Sequence, residues 1–468
     1  MNAAERIYVA TTSEGDTSSR LAEDLARRIE DDIASGDFAA GAALGALREL
    51  SGRYSAGRSV VREALGLLER RGLGRMRPGP CGGFILSKPQ PEIIGAQLAD
   101  YFRASGITLR QVMDTREAVD LMAARLGSAS PRAEAELAPL TGSSNDLSGL
   151  LCARLHIARL AGEPMLLPFV ECLNALTADF REMDGPTPAA LVSAETALCR
   201  ALREGNVEVA VAEAGRAHRE LVAWLTERGE RAPSPPPEAG QMRAAGRLAS
   251  TIARKLAADI AVRGNAGARL GSEWDLCERF NVSRLTLRQA IRLLQDSGLV
   301  ECRRGRGNGL MIRDRRAAGS IRLLLAYLIG EKVDPMAAGT ILFQLNCFVP
   351  ALAVARANTS EREQLAAALA RVESCDPFDR YDLLGLVRCV SRLADSPIIE
   401  LFSRCLVAYE ARFRPALLER LPGSTHAHYF QLIRRLLDRL PIGDSAQLEW
   451  AKAESFALML QMSQHRPI

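Results

Sequence analysis

Leu21, Leu25, Ile29 and Ile33 recur at every fourth position, the spacing of one face of an α-helix. A turn rich in Gly and Ala follows. Next come a short helical stretch over about Ala46–Tyr54 and a second turn ending at Gly57. From Arg58 to about Arg71 the apolar positions Val61, Leu65 and Leu68 return at helical spacing. Gly72 and Leu73 stop that helix. Arg75–Leu86 then reads as two short strands around the turn Pro78-Gly79-Pro80-Cys81-Gly82-Gly83. Three helices and a β-hairpin form the pattern of a winged helix-turn-helix.

The same pattern occurs twice. Laid over Gly267–Met311 with a constant offset of 226, Gly41–Ile85 matches without a gap. Identities fall at Gly41/Gly267, Leu44/Leu270, Leu50/Leu276, Arg58/Arg284, Arg62/Arg288, Ala64/Ala290, Leu68/Leu294, Gly72/Gly298 and Gly83/Gly309, among others. Upstream, Arg20–Ile33 matches Arg247–Ile260 with one residue of slippage. Behind each copy lies a long stretch of helical periodicity without a strand pattern, punctuated at Gly162-Glu-Pro164 and at Asp395-Ser-Pro397. The Pro-rich run within 231–240 can form neither helix nor sheet and divides the chain nearly in half. The expected organisation is a polar tail over 1–18, a first winged helix-turn-helix over 19–88 and a helical bundle over 93–228. A linker over 229–242, a second winged helix-turn-helix over 243–314 and a second bundle over 317–464 follow. The fold class is mainly α, in tandem repeat.

Composition agrees with this reading. Hydrophobic residues make up 47% of 468 residues while aromatics make up only 5%, which favours helix over sheet. A net charge of +4 does not by itself imply nucleic acid. Ten Cys without a CxxC pair argue against a disulfide framework or a structural zinc. The first residues lack the apolar core of a signal peptide, and the longest apolar runs, such as Ile321–Ile329, are too short to span a bilayer. No membrane partner is expected, and the expected location is the cytoplasm.

The stretch Gly41-Ala-Ala-Leu-Gly-Ala-Leu-Arg-Glu-Leu-Ser, with Arg58-Ser-Val-Val-Arg-Glu-Ala-Leu65, Gly72-Leu73 and Gly82-Gly83, resembles the GntR family of bacterial regulators. Gly267-Ala-Arg-Leu-Gly-Ser-Glu-Trp-Asp-Leu, with Val282-Ser-Arg-Leu-Thr-Leu-Arg-Gln-Ala-Ile291, resembles it again. The helical stretches resemble the effector-binding bundle of the FadR-like (FCD) subfamily, most clearly at Arg116-Glu-Ala-Val-Asp-Leu-Met-Ala-Ala124. The resemblance implies a double-stranded DNA operator as partner. It implies contacts from Arg48, Arg58, Ser59, Arg62 and Gly82 in the first head, and from Ser283, Arg284, Thr286, Arg288, Arg304 and Arg306 in the second. The physics of the motif agrees: a recognition helix presents its N-terminal turn to base edges, and arginines one turn apart there suit both base readout and phosphate grip. The copies differ. Gly57 stands where the family has Ser or Thr, which removes a helix cap. Trp274 stands in place of Arg48, and Trp cannot replace a bidentate cation. Either the heads prefer different half-sites or one binds weakly. Gly45 and Gly271 stand at a usual Pro, expected only to loosen a turn.

The resemblance also implies a ligand site in the first bundle, for a small organic acid or a lipid-like molecule. Arg116 is the candidate anchor, with an ion pair to Asp120 at i+4 as the alternative role. Leu345 stands at the equivalent place in the second bundle. Relatives of such bundles hold a metal with Asp and His. Here Arg154 occupies the first His position with His156 two residues away, Glu195 a second position, and His218 lies near the last. These are the nearest metal candidates, and the reading is that no metal and no cofactor is held. An enzyme is not expected. The four Lys lie in no strand-rich context for pyridoxal phosphate, and no P-loop, GxSxG or HExxH is present. With both heads in one chain, the polypeptide suits a pseudo-dimer on an asymmetric operator, or a homodimer with four heads. An alternative is an interaction scaffold whose second half has lost DNA binding.

Overall fold

A computed structural model describes residues 20–36, 41–77, 79, 82–128, 130–138, 146–180, 187–227, 244–263, 267–296, 299–302, 309–312, 317–374, 380–413 and 423–440, with 448, 450–455 and 457. The expected tail over 1–18 and linker over 229–242 lie outside these residues. The chain is mainly α with two small sheets and divides into two compact units, one spanning 9–334 and the other holding 335–468.

In the first unit the leading head comprises α1 (Arg20–Ser35), β1 (Ala43–Gly45), α2 (Leu47–Arg53), α3 (Arg58–Arg70), β2 (Gly74–Arg77) and β3 (Gly83–Leu86). Its core is made by Leu25, Ile29, Leu50, Val61, Leu65, Leu68 and Phe84, all buried. Leu21, expected on the buried face of α1, is 73% exposed, and Ala22 and Ala26 take the inner positions instead. The face therefore follows the i, i+3, i+4 stripe rather than a strict four-residue step. β1 was not foreseen. It is three residues long, too short to show alternation, and it completes a sheet of order β1-β3-β2.

The bundle behind it comprises α4 (Pro91–Ala104), α5 (Leu109–Gly127), α6 (Ala133–Leu137), α7 (Leu147–Leu160), α8 (Leu166–Ala178), α9 (Ala189–Arg203) and α10 (Val207–Thr226). Local signals set its helix starts. Thr108 and Gln111 form a reciprocal capping box on α5, and Asp146 and Asn206 accept from the amides of Gly149 and Val209 on α7 and α10. α4 lies so close on α8 that a Cβ at Gly95 would meet the Glu171 side chain and the Cys172 amide.

The second head repeats the first: α11 (Ala244–Arg263), β4 (Arg269–Gly271), α12 (Glu273–Phe280), α13 (Arg284–Asp296), β5 (Val300–Cys302) and β6 (Leu310–Ile312). Its sheet order, β4-β6-β5, and its register match the first. Ala43 opposes Ile85 as Arg269 opposes Met311, and Gly45 opposes Phe84 as Gly271 opposes Leu310. Gly45 and Gly271 do not merely loosen a turn. Their φ values of 136° and 149° are closed to proline, whose ring holds φ near −65°. Opposite them, a Cβ on Gly83 or Gly309 would lie 2.7 or 2.5 Å from the carbonyl oxygen of Gly45 or Gly271. Each wing closes on a glycine pair.

The first unit ends with α14 (Ala318–Gly330), which follows the second wing as α4 follows the first. α4 packs on α11 and α14 packs on α1, so each connecting helix meets the leading helix of the other head, and α4 and α14 pack on each other. Polar contacts reinforce the arrangement. Lys88 pairs with Glu331 at 2.7 Å, Lys332 Nζ donates to the Gly36 carbonyl at 2.7 Å, and the Tyr327 hydroxyl donates to the Pro164 carbonyl at 2.9 Å.

The second unit comprises α15 (Pro335–Arg356), α16 (Thr359–Ser374), α17 (Arg380–Ala394), α18 (Pro397–Phe413) and α19 (Gly423–Arg439). α15 is its core helix, packed by α17, α18 and α19, with Leu345, Phe348 and Leu352 buried. By length and composition α15 could cross a bilayer, but two-thirds of its apolar window (67%) is covered by protein.

Candidate nucleic-acid interface

In the first head, α3 begins after Gly57, whose φ of −62° and ψ of 146° end the preceding turn without a side-chain cap. The leading amides of α3 therefore have no capping oxygen and can meet an anion. Arg58, Ser59 and Arg62 are exposed on this end, and Arg48 is exposed on α2. Arg58 and Arg62 make no hydrogen bond or ion pair with other described residues. Gly82 is half-buried, and its amide donates to the Gly79 carbonyl at 2.9 Å, closing the wing turn.

α3 is held to α1 by a group that sequence reasoning missed. Arg71 is buried and donates to Glu30 and to Glu23, each at 2.6 Å. Burial works against its charge, and the two carboxylates more than offset that, so its pKa rises. The Tyr54 hydroxyl donates to Asp32 at 2.5 Å, and burial together with that carboxylate pushes the phenol up to about 12. At the positions of Glu23, Glu30 and Arg71 the second head has Ser250, Ala257 and Ser297, so the triad belongs to the first head alone. Asp259, the equivalent of Asp32, pairs instead with Arg279 at 2.7 Å, because Phe280 replaces Tyr54.

In the second head, Ser283 caps α13. Its Oγ accepts from the Thr286 amide at 3.2 Å and lies 2.9 Å from the Thr286 hydroxyl. Arg284 sits over the Trp274 ring at 5.5 Å, and Arg288 is paired with Glu273 through both its Nε and its Nη2, the latter at 3.2 Å. Leu47 stands at the equivalent place in the first head, so no carboxylate answers Arg62 there. Arg304 and Arg306 lie outside the described residues.

The first bundle holds a buried charge cluster. Arg116 is fully buried and donates from Nε to Thr177 at 3.0 Å and from Nη2 to Asn174 at 2.9 Å. Its approach to Asp120 is the longer contact, 3.8 Å, so the expected i+4 pair is secondary to hydrogen bonds across to α8. Burial pulls its pKa down to about 10, against the attraction of Asp120. Arg154 lies 3.2 Å from Asp120 and 2.5 Å from Glu195, tying α7 to α5 and α9. Two cations thus face two anions. The three metal candidates do not converge: Glu195 faces Arg154, His156 faces Glu136 at 3.8 Å and His218 faces Glu117 at 3.9 Å. Among the described residues no three His, Cys, Asp or Glu form a metal-binding group.

Comparison with known proteins places both heads. Residues 21–80 and 248–309 each match the model described as bacterial regulatory proteins, gntR family. An uncharacterized HTH-type transcriptional regulator of Mycobacterium tuberculosis is 32% identical over 133 residues, 28% of this chain. The match spans about half of that relative's length, 52%. Among solved structures, Streptococcus agalactiae GntR aligns with 44% of this chain and 98% of its own at 20% identity and a TM-score of 0.27.

Proposed function

We propose, on the premise that two of its segments are winged helix-turn-helix domains of the GntR family, that the chain is a transcriptional regulator engaging one double-stranded operator with both heads. The observation that carries the two-headed reading is the crossed packing of α4 on α11 and α14 on α1. Such reciprocal contact, each copy offering the same surface to the other, is how symmetric dimers associate, here within one polypeptide. Arg48, Arg58, Ser59, Arg62 and Gly82 serve the first half-site. Ser283, Arg284 and Thr286 serve the second, together with Arg304 and Arg306, while Arg288 lies on the same helix paired with Glu273. The protein acts in the cytoplasm, as a repressor or an activator of its targets.

The first bundle, of FadR-like type, modulates binding through a small organic acid or lipid-like ligand anchored at Arg116. The second bundle serves structure. A different reading, an interaction scaffold whose second half no longer binds DNA, draws on the pairing of Arg288 with Glu273 and on Trp274 in place of Arg48. Fluorescence anisotropy on a selected operator separates the two. Under the two-headed reading Arg58→Ala and Arg284→Ala each weaken binding, by about 1–3 kcal/mol. Loss from the first with none from the second supports the scaffold. Light scattering of the free protein gives a monomer if the pseudo-dimer suffices, and a stable dimer if four heads assemble.

A further inference from the structure

The leading turns of α12 and α13 carry large apolar side chains where the first head has polar ones. Leu285 is 70% exposed and Trp274 is 65% exposed, while their equivalents in the first head are Ser59 and Arg48. Large side chains left this open on a folded head point to a partner that covers them. Arg284, over the Trp274 ring, and Arg292, two turns further along α13, are exposed, so the partner is anionic at its rim. The DNA major groove has that character: phosphates line its edges, and thymine offers a methyl group on its floor. The arginines are also placed differently from those of the first head. Glu273 holds Arg288, and the Trp274 ring lies under Arg284, so residues of α12 fix both cations of the recognition helix.

We propose that the second head reads a thymine-bearing half-site through Leu285 in contact with thymine 5-methyl groups, with Trp274 as flanking apolar wall and Arg288 restrained from phosphate by Glu273. The two half-sites of one operator therefore differ in chemistry, one read by free arginines and the other by an apolar contact. The inference rests on the DNA-binding reading above and deepens it.

The test uses the full chain. An operator is selected from a random duplex library, and the half-site of the second head is located by repeating the selection with Leu285→Ser. That residue is exposed, so its replacement leaves the core intact. Thymines of that half-site are then replaced by deoxyuridine, which removes the methyl group and nothing else. The wild type is expected to lose about fourfold in affinity per methyl contact removed, and Leu285→Ser is expected to be indifferent to the replacement. Glu273→Gln, by freeing Arg288 for phosphate, is expected to steepen the salt dependence by about 0.9 in the slope of log affinity against log salt. Specific binding that ignores deoxyuridine would overturn the thymine contact while leaving the DNA-binding reading intact. An unchanged slope in Glu273→Gln would overturn the restraint of Arg288. Unaltered affinity and base preference in Leu285→Ser would overturn the proposal and assign the patch to a protein partner. A library that yields no preferred sequence would sink the regulator reading and this inference with it.

Discussion

Arg71→Met is the perturbation whose size the structure constrains best. The guanidinium is 10% exposed and lies 2.6 Å from each of two carboxylates, and the Glu30 side chain is only 4% exposed. Removing the cation breaks a buried ion pair by taking from Glu30 its 2.6 Å partner, at a cost of about 3–5 kcal/mol. Glu23, one-third exposed at 33%, is partly solvated and adds roughly 0–1 kcal/mol. A domain holds only about 5–15 kcal/mol in total, so the first head should open locally without the rest of the chain unfolding. Global melting of a chain with several domains is not two-state, and hydrogen exchange read by mass spectrometry is the suitable assay. Protection should fall in peptides over 20–36 and 58–71 and stay unchanged over 247–263 and 284–296, where the triad is absent. Arg71→Met combined with Glu30→Leu should recover most of the loss, because a well-packed apolar pair can replace a buried ion pair. A loss below about 1 kcal/mol, or an equal loss in the second head, would show that the triad does not hold α3 to α1.

Gly83→Ala and Gly309→Ala should each unseat a wing, since the new Cβ would lie 2.7 or 2.5 Å from a carbonyl oxygen; a cost of about 1–3 kcal/mol is expected in exchange protection of the affected sheet. Arg154→Met should destabilise the first bundle by about 3–5 kcal/mol by taking from Glu195 its 2.5 Å partner and leaving Asp120 with Arg116 alone, while Arg154→Met with Asp120→Leu and Glu195→Leu recovers part of it, measured by denaturant unfolding. Tyr54 holds its proton more tightly in the folded head than in the unfolded chain, whose phenols titrate near 10. Its contribution is therefore full below pH 10 and is lost as pH rises toward about 12. Tyr54→Phe should flatten that loss in a pH series of head stability.

The repeat was legible because it rests on local signals. The helical stripes set α1 and α3, and glycines at fixed offsets set the turns and the wings. What escaped depends on partners distant in sequence. Nothing near Arg71 indicates that it reaches Glu23 and Glu30, 48 and 41 residues earlier. The i+4 rule proposed Asp120 for Arg116, yet Thr177 and Asn174 on α8 lie closer, a choice made by helix packing. β1 and β4 exist only as partners of β3 and β6, and three residues carry no periodicity of their own. Glycine at the usual proline position looked like a weakened turn, because a close approach between strands cannot be read from one strand.

Under the two-headed reading proposed above, the asymmetry between the heads follows from carrying both copies in one chain. In a homodimer every change in a recognition helix appears in both half-sites, so a variant must suit a palindrome. With both copies in one chain that coupling is removed, and on the same reading each head is held at high effective concentration for its half-site. The first head keeps exposed arginines over a buried ionic brace, Arg71 with Glu23 and Glu30, which on this reading steadies its recognition helix against phosphate. Under that reading the second can lack the brace, carry Trp274 in place of Arg48 and pair Arg288 with Glu273, the first supplying the salt-dependent grip. The glycine pair that closes each wing, Gly45 with Gly83 and Gly271 with Gly309, remains alike in both copies. Among the many positions that differ, Arg48/Trp274, Ser59/Leu285 and Leu47/Glu273 lie at the leading ends of the α2–α3 and α12–α13 pairs, so the two heads present different side chains there.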